Sequence, residues 1–337
     1  MTPASKPRVS VVIDTYDYAR FLPACIESVL TQDFPAGDME VVVVDDGSTD
    51  GSAEVIARYA PRVKGIVKPN GGQASAFNRA FAETRGELVC LLDGDDVWLQ
   101  GKLRRVVEAF DRDPKAGLVQ HLLRDVDASL TPLPQDMPGW PERQTLDDFL
   151  EGRAVFTATS GTAYRRTFLD ALGPVPEGLR LNADEWLATG TIFRAEVRSL
   201  SEVLALHRIH GASQLGSNVY RDADRLERNL RLRRVLWESV ERWLKESGRR
   251  LSPRFERLEG LEMMRREILL LMGRGRRREA AAEWWRGLRR FGGDRFGLFR
   301  VLTCFAALIS PSLYLAAYAR YARSRLSKRL RSGLAPE

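Results

Sequence analysis

Cysteine is scarce in this sequence, and the little present excludes two chemistries. The 337 residues hold three, Cys25, Cys90 and Cys304. They are far apart, odd in number and without a C-x-x-C spacing, which leaves no disulfide framework and no zinc site and fits a reducing compartment. Histidine is equally rare, with only His121, His207 and His210. The start, "MTPASKPRVS", lacks the apolar stretch of a secretory signal, so a cytoplasmic location is expected. Neither G-x-G-x-x-G nor a Walker lysine spacing occurs, and there is no internal repeat.

Charge is plentiful but unevenly placed. The net charge of +7 combines 29 Lys and Arg against 14 Asp and Glu from Gly216 onward with 23 against 31 before it. An acidic half followed by a basic half implies two functional regions. Arginine-rich helices are read either as a solvated face or as a match for an anionic membrane. No nucleic-acid-reading motif accompanies them, so no nucleic-acid partner is expected. Val301 to Ala319 is uncharged, and as a helix it would reach about 29 Å, near the thickness of a bilayer core. Ser310, Pro311 and Ser312 interrupt it and basic residues flank it. That pattern fits a kinked helix or hairpin lying in the inner leaflet better than a single span. Three regions follow: 1–215, a helical basic region 216–295, and an apolar membrane-associating helix with a basic tail, 296–337.

The first region alternates strand and helix. "VSVVI" and "EVVVV" are continuous β-branched runs of the kind buried on both sheet faces, "VKGIV" and "ELVCLL" are further strands, and amphipathic segments lie between them. This spacing of βαβ units predicts a mostly parallel, Rossmann-like sheet flanked by helices, with ligands bound beyond the carboxyl ends of the strands. "TYDY", "DDGS" and "DGDD" fall at those ends and are expected to line one crevice. Further on, "SGTAYRR" and "EVRSLSEVLALHRIH" read as strands around a helix in "DEWLATGTIFR".

Asp93, Asp95 and Asp96 place three carboxylates in four residues after a strand. They repel one another, and aspartate is a poor strand former. Helix capping would use one of them, whereas Mg²⁺ or Mn²⁺ would use hard oxygens and complete its shell with phosphates. "KPNGGQASAFN" sets Gly71 and Gly72 ahead of a helix, either as an ordinary turn or as a backbone cradle for a diphosphate.

The set "VSVVIDTYDYARFLPACIESVLTQ", "VVVVDDGSTDGS", "KPNGGQASAFNRAF", "RGELVCLLDGDDVW" and "HRIHGASQ" resembles, in order and spacing, family 2 glycosyltransferases over residues 8 to 215. The resemblance implies a GT-A fold, here followed by a helical basic region, and a metal-dependent transferase that inverts the sugar. It implies that Thr15, Tyr16 and Asp46 hold the nucleoside, with Asp14 and Asp45 beside them. Asn70, Gly72 and Gln73 join the nucleotide-sugar contacts. Asp93 and Asp95 form the D-x-D element, and Asp95 and Asp96 lie nearest the metal. Asp14 stands where many relatives carry Pro or Thr. In "LNADEWLATGTIF", Asp184 takes the position of the catalytic base, with Glu185 the adjacent alternative. His210 is implied at the diphosphate or metal and Arg208 as a neutralising charge, while His207 and His121 are structural. The expected reaction moves a sugar from a nucleoside-diphosphate sugar to a hydroxyl of a lipid-linked or glycan acceptor at the membrane, in cell-envelope polysaccharide synthesis. A nucleotidyltransferase and a non-catalytic sugar-nucleotide binder are the alternatives.

Overall fold

The computed structural model describes residues 6–135, 137, 139–210, 223–293, 295–312 and 314–315. Residues 211–222, most of the basic tail and the end of the apolar segment lie outside them. The chain forms two compact units, residues 1–213 with 235–250, and 214–234 with 251–337.

The first unit begins β1 (Val9–Thr15), α1 (Leu22–Leu30), β2 (Met39–Asp45), α2 (Ser52–Ala57), β3 (Lys64–Val67), α3 (Gln73–Glu83), β4 (Leu88–Asp93). Strands β3–β2–β1–β4 are parallel neighbours, as the alternation predicts. Val9, Val11, Val12 and Ile13 are fully buried, as expected of a strand inside a parallel sheet covered on both faces. Register places Asp14 beside Asp93 and Thr15 beside Asp45. Three acidic turns therefore share one edge.

The chain then departs from the simple pattern. The aspartates do not open a helix: Asp96 leads into a two-residue strand, β5 (Val97–Trp98), and α4 (Lys102–Arg112) starts only after Gly101, whose φ is +80°. Next come β6 (Ala116–Val126), β7 (Arg143–Gln144), α5 (Leu146–Leu150), β8 (Thr162–Arg165), α6 (Arg166–Leu172), α7 (Ala183–Ile192) and β9 (Glu196–Arg208). Strand β8 runs antiparallel between β4 and β6, and β9 pairs parallel with β6 and antiparallel with β5. The pairing of β5 with β9 brings the "DGDD" turn against the "HRIH" end.

Helix α8 (Ala223–Ser247) contributes its second half to this unit. Trp186 of α7 donates from Nε1 to Ser239 Oγ at 3.0 Å, and its ring packs on Trp243 with centroids 5.4 Å apart. Helix α7 is thus braced from behind.

The second unit is helical: the start of α8, α9 (Pro253–Gly273), α10 (Arg277–Phe291) and α11 (Arg295–Ile309). Ser252 caps α9 by accepting from Phe255 N at 3.2 Å, with Pro253 in the first turn where its missing N–H costs nothing. Leu261, Met264, Ile268, Phe291, Val301 and Cys304 form its core. Helix α11 stops at Ile309, before Ser310–Pro311. Among the described residues, no helix is long and apolar enough to cross a membrane.

Candidate active site

The crevice is built from the carboxyl ends of β1, β2 and β4, the end of β9 and the start of α7. Asp14 and Asp93 are register partners on neighbouring strands. Burial pushes Asp14 up to about 8 and Asp93 well above its ordinary value, and the neighbouring aspartates add to both. Three buried oxygens at this edge have no hydrogen-bond partner: Asp14 Oδ1, Thr15 Oγ1 and Asp45 Oδ2. Leaving such atoms unpaired costs about 1–3 kcal/mol each, so the edge is shaped for something else to complete it. Tyr16 stands half open beside them.

Asp95 and Asp96 have different roles. Asp95 Oδ2 lies 2.9 Å from His210 Nε2, whose ring rests on Phe21 and Tyr18. Asp96, expected with Asp95 at the metal, is buried and hydrogen-bonded within the fold. Its Oδ2 accepts from Ser160 Oγ at 2.6 Å and its Oδ1 from Arg208 N at 2.7 Å, and it is 1% exposed. It is the peg that joins β4 to β9. Arg208, expected to neutralise ligand charge, donates to the carbonyls of Asp95 and Ala128 and lies over Phe21, holding the turn's backbone. Below the turn Lys102, fully buried, donates from Nζ to Ser160 O at 3.0 Å and sits 3.5 Å from the Trp98 ring centroid. Burial lowers its ammonium to about 7. His121 is fully buried, with Nδ1 3.0 Å from Leu122 O, and His207 pairs with Asp125 at 2.9 Å.

The anticipated phosphate cradle at α3 is already filled by the protein. Asp46 Oδ1 accepts from Gly71 N at 2.9 Å and Oδ2 from Gly72 N at 2.6 Å, with Lys68 Nζ on the same carboxylate. Gln73 N and Ala74 N donate to the carbonyls of Arg180 and Leu179. Asp46 therefore braces the loop that opens α3, where an anion is favoured because N–H groups converge at a helix start. Asn70 accepts from Arg180. Gly72 has φ +85°, and a Cβ there would meet Arg180 Cα at 2.5 Å. Gly72→Ala is expected to lower stability by about 1–3 kcal/mol through strain and contact; thermal unfolding checks this, and an unchanged midpoint would contradict it.

Asp184 sits in the first turn of α7. Its Oδ1 accepts from Glu185 N at 2.8 Å, and its Oδ2 accepts from Thr159 N at 3.0 Å and Thr159 Oγ1 at 3.2 Å. Burial raises its pKa, and it lies near enough to Asp14 and Asp93 to raise theirs. Gln73 ties the two sides together, accepting from Ala183 N at 3.0 Å and donating to Thr159 Oγ1 at 3.2 Å. Glu185 instead pairs with Asn182 Nδ2 at 3.3 Å. Thr159, Ser160 and Lys102 were invisible in the sequence: "TSG" looks like any loop, and a lysine in a helical face looks solvated.

Among the described residues, no three His, Cys, Asp or Glu side chains converge on one cation position. The donor pair that would suit a dication is Asp95 with His210, a hard oxygen 2.9 Å from an imidazole nitrogen.

Residues 10–173 match the model of glycosyl transferase family 2. An uncharacterized glycosyltransferase of Nostoc sp. is 40% identical over 214 residues, covering 61% of this chain and 66% of the relative. The putative teichuronic acid biosynthesis glycosyltransferase TuaG of Bacillus subtilis is 32% identical over 155 residues, covering 44% and 60%. The chain thus spans less than two thirds of either relative. In structure, S. aureus TarS 1–349 in complex with UDP-GlcNAc superposes with a TM-score of 0.53 at 19% identity, over 90% of this chain and 81% of that one. The Pyrobaculum calidifontis mannosyltransferase PcManGT, in complex with GDP-Man and Mn²⁺, gives 0.55 at 19%, over 97% and 84%. Both likenesses concern the fold, which is the GT-A arrangement. The stretch that begins in β1 and carries these acidic turns, residues 10–173, is thus a glycosyl transferase family 2 domain.

Proposed function

We propose that this protein is an inverting, metal-dependent transferase that moves a sugar from a nucleoside-diphosphate donor to a hydroxyl of a membrane-associated acceptor. The observation that carries the donor assignment is the trio of unpartnered buried oxygens at Asp14, Thr15 and Asp45. Acceptors at that edge match the N–H groups of a uracil or guanine and the hydroxyls of a ribose. Asp184 serves as the base: its first-turn position fixes it, and its raised pKa suits it to take a hydroxyl proton. A single displacement needs only that one base when the leaving group is a diphosphate. A Mg²⁺ or Mn²⁺ ion, when bound, would be held by Asp95 and His210 and would supply charge stabilisation for the leaving group. The crevice aligns the two substrates.

The TuaG similarity supports an acceptor in cell-envelope polysaccharide synthesis, and the apolar C-terminal helix supports a place at the inner face of the membrane. A thermal-shift panel of UDP-, GDP- and dTDP-sugars, with and without Mn²⁺, tests the reading together with donor-dependent release of nucleoside diphosphate. One donor should stabilise the protein, more so with Mn²⁺, and should be turned over. Stabilisation without turnover under any acceptor preparation would favour a non-catalytic binder, and release of pyrophosphate from a nucleoside triphosphate would favour a nucleotidyltransferase.

A further inference from the structure

Helix α11 is apolar on two sides, and only one is used by the core. Val301, Cys304 and Ala307 pack into the second unit. Leu298, Leu302, Phe305 and Ile309 follow the helical spacing of four, three and four residues on a neighbouring face and remain open, with Leu302 52% and Ile309 72% exposed. The open face does not stop at α11. Phe305 stacks on Trp284 of α10 with centroids 5.2 Å apart, Trp284 is fixed by a 2.8 Å bond from Nε1 to Val301 O, and next to it Trp285 is 51% exposed. One continuous apolar surface thus runs from α11 to α10. Its α10 side is basic: Arg289 lies over the Trp285 ring at 5.5 Å, and Arg286 and Arg290 are exposed nearby. Past the described residues, the sequence from Arg320 to Arg331 holds six Lys and Arg and no acid.

We infer that the face formed by Leu298, Leu302, Phe305 and Ile309 with Trp285 is a docking surface for an anionic lipid bilayer. This deepens the membrane part of the proposed function and rests on it. The opposite side of α11 belongs to a protein core, so the helix lies along the interface with one face immersed. Leucine, phenylalanine and tryptophan suit the acyl boundary, and arginine at the rim suits the phosphates. A second copy of the chain is the other natural occupant of an apolar stripe. Face-to-face pairing, however, would bring the same arginines against each other.

Co-sedimentation of the full chain at low salt with phosphatidylcholine vesicles, with and without phosphatidylglycerol, tests this. Parent protein should bind the anionic vesicles at least about tenfold more tightly than the neutral ones. The double variant Leu302→Glu/Phe305→Glu and the charge reversal Arg286→Glu/Arg289→Glu should each weaken that binding by about tenfold or more. These positions are exposed, so thermal unfolding should stay near that of the parent and donor-induced stabilisation should be unchanged. Failure of any donor to stabilise even the parent would count against the transferase reading and leave the lipid result standing. The inference is overturned if the parent ignores anionic vesicles or if the double variant binds them as the parent does. It is equally overturned if the parent is a dimer that the double variant dissolves, with no vesicle binding by either.

Discussion

Replacing Asp184 with asparagine is expected to lower sugar transfer by about 10²-fold or more while the donor still binds. Asparagine keeps the size and one acceptor oxygen but cannot take a proton, and its amide nitrogen must face either Glu185 N or Thr159 N, at some cost in stability that is the same at every pH. The pH dependence gives a second readout. The base must be ionised to work, and burial holds its pKa above the ordinary carboxylate value, so transfer by the parent should fall as pH drops through that raised value. The effect on stability has the opposite sign. A carboxyl whose folded pKa exceeds its unfolded one contributes stability at low pH that is lost as pH rises through the folded value. The variant should therefore gain on the parent in thermal midpoint as pH rises across that window. Single-turnover transfer, donor titration and thermal unfolding at several pH values measure all three. If Glu185→Gln is the inactive variant and Asp184→Asn the active one, the base is one residue further along α7.

Asp95→Asn should abolish metal-dependent donor turnover and leave the fold in place, whereas its neighbour Asp96→Asn should do the reverse damage first. Asparagine at 95 can still bond His210 but offers a cation no charge. At 96, an amide nitrogen must face either Ser160 Oγ or Arg208 N, both donors to the native carboxylate. A mispaired buried group costs about 1–3 kcal/mol, enough to lower the unfolding midpoint measurably. Mn²⁺-dependent release of nucleoside diphosphate, read beside thermal unfolding for each variant, separates the two. Near-normal turnover by Asp95→Asn with Mn²⁺ present would remove Asp95 from the metal.

The parts of this architecture that could be read from the chain are those governed by local periodicity. Runs such as "VSVVI" and "EVVVV" must be buried on both faces, and their spacing by amphipathic helices leaves little choice but parallel neighbours, which places the acidic turns on one edge. Asp184 was legible only through the resemblance of "LNADEWLATGTIF" to the family's segment, since a carboxylate in the first turn of a helix otherwise reads as a cap. Features set by distant partners were not. Val97–Trp98 is a strand only because β9 supplies its ladder, so the aspartates before it looked like a helix start. Asp45 and Asp46 are indistinguishable in sequence, yet one keeps an open oxygen while the other is consumed by Gly71 and Gly72. That difference arises from how β3 returns the chain beside β2.

The carboxylate of Asp46, placed where amide hydrogens gather at the head of α3, has an energetic consequence for the donor. An internal anion means that the loop is finished before any ligand arrives, and its order is not an entropic toll levied on each binding event. It also means that this helix end has already spent its electrostatic attraction. On the proposed reading, the charge growing on a departing diphosphate would therefore be met from across the crevice, on the side of Asp95 and His210.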